Sequence, residues 1–93
     1  MEEPEREVVK FKKGVNGEKP DVKSFLLKRG FEVVGGPPER EQLRNSERGI
    51  NATYVPGSGI TTVTLSRDYG GDPTAYKMVA EELRAGHSDY VVR

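Results

Sequence analysis

The chain has 93 residues, 32% of them charged, and its fifteen Lys and Arg balance fifteen Asp and Glu to a formal net charge of zero at pH 7. That length holds one small domain, residues 1–93. The absence of Cys rules out disulfide and thiol chemistry, and no run of about 20 apolar residues offers a membrane-spanning helix. Val, Ile, Leu and Phe make up 21 residues, enough for a modest core, while eleven Gly and six Pro point to short elements and many turns.

The first residues, Met1-Glu2-Glu3-Pro4-Glu5-Arg6, are polar and acidic and are expected to form a flexible N-terminus, 1–6. They lack the basic start and apolar stretch of a secretory signal, so the expected location is the cytoplasm. From Glu7 to Lys13, Val9 and Phe11 alternate with Lys10 and Lys12 in the period-two pattern of a half-buried strand. After Gly14-Val15-Asn16-Gly17, Asp21 is placed to cap a helix that starts at Val22 and carries Val22, Phe25 and Leu26 on one face, with Gly30 at its end. Phe31 to Val34 then reads as a second strand.

Residues 35–59 are long for a connection and read as an insertion. In 37–48 Leu43 is the only large apolar residue, so this part is expected to be a mobile charged arm. Ile50, Ala52 and Tyr54 alternate with polar neighbours, and Pro56-Gly57-Ser58-Gly59 supplies a turn, which predicts a hairpin with the following strand. From Ile60 to Arg67, Thr61, Val63 and Leu65 alternate with Thr62, Thr64 and Ser66. After the glycine turn at Tyr69-Gly70-Gly71, Asp72 is the expected cap and Pro73 the first position of a helix reaching Ala85, with Ala75, Tyr76, Val79, Ala80 and Leu83 on one stripe. Gly86 closes it, and Asp89-Tyr90-Val91-Val92 is expected to add a last strand.

Two βαβ units in one small chain predict an α+β fold of the ferredoxin-like, split-βαβ kind, with both helices on one face of a mostly antiparallel sheet that gains a strand from the inserted hairpin. Three short stretches resemble known families. Gly14-Val15-Asn16-Gly17 distantly resembles the phosphate loop of acylphosphatases, but Glu18, Lys19, Pro20 and Asp21 stand where that family places an arginine, and the activity is not carried over. Arg29-Gly30-Phe31 resembles the opening of an RNA-recognition signature, from which Glu32 and Val33 depart. Phe25-Leu26-Leu27-Lys28-Arg29-Gly30-Phe31 is similar to the first helix and strand of HicA-type mRNA interferases, a resemblance that implies a double-stranded-RNA-binding-like fold; their catalytic histidine has no counterpart here.

The residues supply neither a nucleophile with a base nor a metal cage, so the expectation is a non-enzymatic module with no cofactor and no metal. The only His, His87, reads as a solvated turn residue, and the glycine turns ahead of both helices read as ordinary turns rather than anion cradles. The expected partner is a protein, with weak binding of RNA or single-stranded DNA as the alternative and a homodimer through the sheet allowed. The candidate contact residues are Arg40, Arg44 and Arg48 on the insertion, Tyr54 on the hairpin, and Lys10, Lys12 and Lys13 near the N-terminus.

Overall fold

The computed structural model describes residues 6–68, 71, 72 and 74–92. Its elements run β1 (Arg6–Lys12), α1 (Val22–Lys28), β2 (Glu32–Gly35), β3 (Glu41–Asn45), β4 (Ile50–Pro56), β5 (Ile60–Arg67) and α2 (Ala75–Gly86). The five strands form one antiparallel sheet in the order β1-β5-β4-β3-β2. From β2 to β5 the sheet is a meander of successive neighbours, and β1 joins it at the far side of β5.

Alternation along the strands decides which face is covered. Val9 and Phe11 of β1, Leu43 and Asn45 of β3, Ile50 and Ala52 of β4, and Thr61, Val63 and Leu65 of β5 are all buried on one side. Against them α1 brings Val22 and Leu26, and α2 brings Ala75, Tyr76, Val79, Ala80 and Leu83. The second helix lies over β1 and β5. The first sits toward β3, where its Lys23 Nζ meets the Glu41 carboxylate at 2.8 Å. Between the helices, Arg29 Nε pairs with Glu82 at 2.7 Å, and Gly86 leaves room for the Phe25 ring, which a Cβ there would approach to 3.2 Å.

Local chemistry explains where the helices begin and end. The Asp21 side chain accepts the Ser24 N–H at 3.2 Å and starts α1. Gly30, at φ 94°, lets the Gly30 N–H reach Leu27 O and the Phe31 N–H reach Leu26 O, a Schellman closure whose apolar contact is Leu26 with Phe31. In α2 the N-cap is Thr74 rather than Asp72; Asp72 Oδ1 instead accepts both the N–H and the hydroxyl of Thr74 at 2.8 Å. Gly86 is the last helical residue, and His87 takes the C-cap position assigned to that glycine by the sequence reading. The expected N-terminus 1–6 lies, apart from Arg6 at the start of β1, outside the described residues, as do Tyr69, Gly70 and Pro73.

Three sequence expectations are corrected. The strands that flank α1 are β1 and β2, and they occupy opposite edges with three strands between them, whereas a split βαβ places a single strand between its parallel pair. The second unit is not closed either: after α2 the described residues make only an isolated bridge, Val91 to Phe11, with the Lys12 N–H on Tyr90 O and the Val92 N–H on Lys10 O. The fold is a small α+β domain whose described residues form a five-stranded antiparallel sheet and two helices.

The charged arm expected at 37–48 holds a strand. Residues 41–45 form β3, paired with β2 on one side and with β4 on the other. Leu43 is 1% exposed, and its single side chain suffices because backbone pairing on both edges, rather than an apolar face, holds the segment. His87 is not a solvated turn residue. It is half-buried, edge-on to the rings of Phe11 and Phe25 at 5.5 and 5.3 Å, with Nδ1 3.2 Å from Leu83 O.

Candidate binding face

The side of the sheet away from the helices is covered by no described element, and the same alternation that built the core decides what it shows. Rows across the strands follow the pairing register. Arg6, Ser66, Asn51, Arg44 and Glu32 make one row; Val8, Thr64, Thr53 and Gln42 make the next; Lys10, Thr62 and Val55 follow; and Lys12 lies opposite Ile60. The centre is therefore a field of hydroxyls and carboxamides from β5, β4 and β3. The β1 edge carries the cations.

Charge is divided between the two sides of the sheet. On the uncovered face Arg6, Lys10, Lys12 and Arg44 stand against two carboxylates among the described residues, Glu32 and, just past the end of β5, Asp68. The odd-numbered acids of the strands point the other way and are consumed by the helices, Glu41 by Lys23 and Glu7 by Arg84 at 3.5 Å. Arg44 Nη2 is held at 2.7 Å by Asp68 at the end of β5, whereas Arg6, Lys10 and Lys12 have no carboxylate partner among the described residues. A chain of zero net charge thus presents a basic face.

The seven residues singled out from the sequence do not form one site. Lys10, Lys12 and Arg44 share the uncovered face, and Lys13 follows immediately after β1, exposed. Arg40 and Arg48 lie at opposite ends of β3, in the turns before and after it, so the helical alignment of Arg40, Arg44 and Arg48 does not exist. Tyr54 pairs with Glu41 and Val63 on the helix side, packed against the core, and burial raises its phenol above the ordinary value. The residues missed were Arg6, Gln42, Asn51, Thr53, Thr62, Thr64 and Ser66. The alternation of β5 carries the signal for Thr62, Thr64 and Ser66, which are the polar complement of the core positions and so share the opposite face.

A cleft of about 460 Å3 opens at the end of the sheet, between the β3–β4 turn and the start of α2. Its lining includes Arg44, Arg48, Glu47, Asp68, Asp72 and Glu82. Three of these carboxylates already serve structural contacts: Asp68 holds Arg44, Glu82 holds Arg29, and Asp72 holds Thr74. The floor is a close backbone approach in which the Asp68 N–H donates to Gly49 O at 2.7 Å and a Cβ on Gly49 would overlap Gly71. The first glycine turn is likewise occupied from within, since the Asn16 N–H donates to the Glu18 carboxylate at 3.0 Å and the Gly14 N–H to Glu18 O. No cluster of three or more His, Asp or Glu that could hold a metal occurs among the described residues, and no described helix is long and apolar enough to cross a membrane.

Compared with protein-family models, with curated proteins and with solved structures, the chain has no match in any of the three.

Proposed function

We propose that this chain is a non-enzymatic binding module whose contact surface is the uncovered sheet face, and that its partner there is a nucleic acid. The observation that carries the reading is the segregation of charge: Arg6, Lys10 and Lys12 line β1 with no carboxylate partner among the described residues, beside hydroxyl and amide side chains on β5 and β4. Lys and Arg with Ser, Thr, Asn and Gln are the side chains that reach phosphate and sugar oxygens. A neutral overall composition conceals such a face, because described acids such as Glu7, Glu41 and Glu82 lie on the helix side and others such as Glu18 and Glu47 in the loops.

Charge reversal tests it. Lys10→Glu with Lys12→Glu should abolish binding of mixed nucleic acid in a gel-shift assay while leaving the melting temperature close to that of the parent, since both side chains are exposed. Lys77→Glu, on the exposed side of α2, should bind like the parent. Retained binding by the double variant would overturn the reading.

A second reading, a protein partner, is supported by the free edge of the sheet. The β2 strand is exposed along its whole length, its pairing with β3 slips between Val33 and Gly35, and Val33 and Val34 are 45% and 58% exposed. An extended segment of another chain, or a second copy of this one, can add to such an edge. Val34→Lys would then abolish a dimer seen by sedimentation, and a monomeric parent at high concentration would exclude the second copy.

A further inference from the structure

We infer that the nucleic acid held on this face is a duplex, gripped by its sugar–phosphate backbone and not by its bases; the inference rests on the nucleic-acid reading of the same face. Sheets that bind single strands do so by stacking: aromatic rings on the central strands carry successive unpaired bases, and each ring contributes much of the affinity. The uncovered face here has no aromatic side chain among the described residues. Phe11, Phe31 and Tyr76 are buried in the core, and Phe25, Tyr54 and Tyr90 pack against it. The central strands present Thr62, Thr64 and Ser66 on β5 and Asn51 and Thr53 on β4, groups that can hydrogen-bond to an oxygen and cannot stack.

The cations are arranged for the same target. At about 3.4 Å per residue, Arg6, Lys10 and Lys12 span roughly 20 Å along β1, on one side of the sheet. A duplex offers a dense and regular row of charge along such a line, with one negative charge for about every 1.7 Å of its axis. A single strand without a stacking platform has only its flexible backbone to offer. Ordering that backbone opposes binding. Specificity for sequence is not part of the inference, because backbone contacts position a protein without reading bases.

The experiment is fluorescence anisotropy with the full chain and four probes of equal length: a mixed-sequence DNA duplex, an RNA duplex, and one single strand of each. The expected result is that at least one duplex binds about tenfold or more tightly than its own single strand. For the DNA duplex, log affinity should fall with log salt at a slope of about −2.7, as three neutralised phosphates require, so that binding weakens about 40-fold between 50 and 200 mM salt. Lys10→Ala with Lys12→Ala should bring that slope near −1. Single strands that bind as tightly as the duplexes, with the slope still dependent on Lys10 and Lys12, would overturn the duplex inference and leave the nucleic-acid reading standing. If no probe binds up to about 100 µM protein at 50 mM salt, the weak end of non-specific affinity, both the inference and the reading are overturned. Preference between the DNA and RNA duplexes assigns the natural source.

Discussion

The carboxamide of Asn45, 2% exposed, joins three parts of the chain that no apolar contact could join in the same way. Its Nδ2 donates to Arg29 O at 3.0 Å, at the end of α1, and its Oδ1 accepts the Arg48 N–H at 3.1 Å, in the turn after β3. Asn45→Ala would leave a part-buried backbone acceptor and a part-buried backbone donor without their partner, a change that costs about 1–3 kcal/mol where such groups stay unsatisfied. Urea unfolding should show that loss with an unchanged slope; a loss below about 0.5 kcal/mol would mean that water replaces the amide. The neighbouring Gly49, at φ 66° and against the Gly71 backbone, fixes the same turn by lacking a side chain. Neither role was legible in the sequence. Asn45 stood in a charged stretch with one apolar residue, and what makes it structural is the approach of α1, a contact between residues 16 apart in the chain.

Among the elements, those written by a local rule were legible and those that depend on a distant neighbour were not. The alternation of Val9 and Phe11, and of Thr61, Val63 and Leu65, placed β1 and β5 in position and face. Asp21 placed the start of α1, and the apolar stripe from Ala75 to Leu83 placed α2. The β3 strand escaped because its hydrophobic signal is one residue, Leu43; it exists because β2 and β4 both pair with it. The last strand expected at 89–92 reduces to one bridge because the chain after α2 meets β1 only near Phe11 and Lys12. Both helix starts also make a prediction about acid. Hydrogen bonds from the hydroxyl and N–H of Ser24 hold the Asp21 carboxyl below its usual range, and the N–H and hydroxyl of Thr74 do the same for Asp72. Depressed folded values mean that this stabilisation is complete above the unfolded carboxylate pKa of about 3.9 and is lost as pH falls through the folded values. Melting temperature, followed by helical circular dichroism, should therefore decline below about pH 5, and Asp21→Asn with Asp72→Asn, which keeps the acceptor oxygens but cannot titrate, should flatten the decline. An equally steep decline in the double variant would place the acid sensitivity elsewhere.

For the molecule as a whole, one choice of register has two consequences. The strand side chains that face the helices close, together with those helices, a core of fifteen buried apolar residues among those described, and the alternate set is left as a mainly polar, cation-edged sheet. A smaller part of the candidate surface is legible in the sequence, where Lys10, Lys12 and Arg44 stand out as cations. The rest was hidden because composition averages over both faces: the acids on the helix side cancel the basic edge in any count taken along the chain. Arg40, Arg44 and Arg48 would share one side of 37–48 only in a helix; with 41–45 paired as β3, Arg40 and Arg48 fall at its two ends, and Tyr54 of the expected hairpin turns to the helix side.

The central claim, that binding takes place on the uncovered face, is tested most directly by methyl NMR of the labelled protein titrated with the DNA duplex at moderate salt, because methyl groups report one face of a sheet where backbone amides report both. Binding on that face shifts the methyls of Thr53, Thr62, Thr64 and Val8 and leaves those of Val79, Leu83 and Leu65 unmoved. Shifts centred on Met78 and Ala75 beside the cleft, with the threonine methyls unmoved, would contradict it.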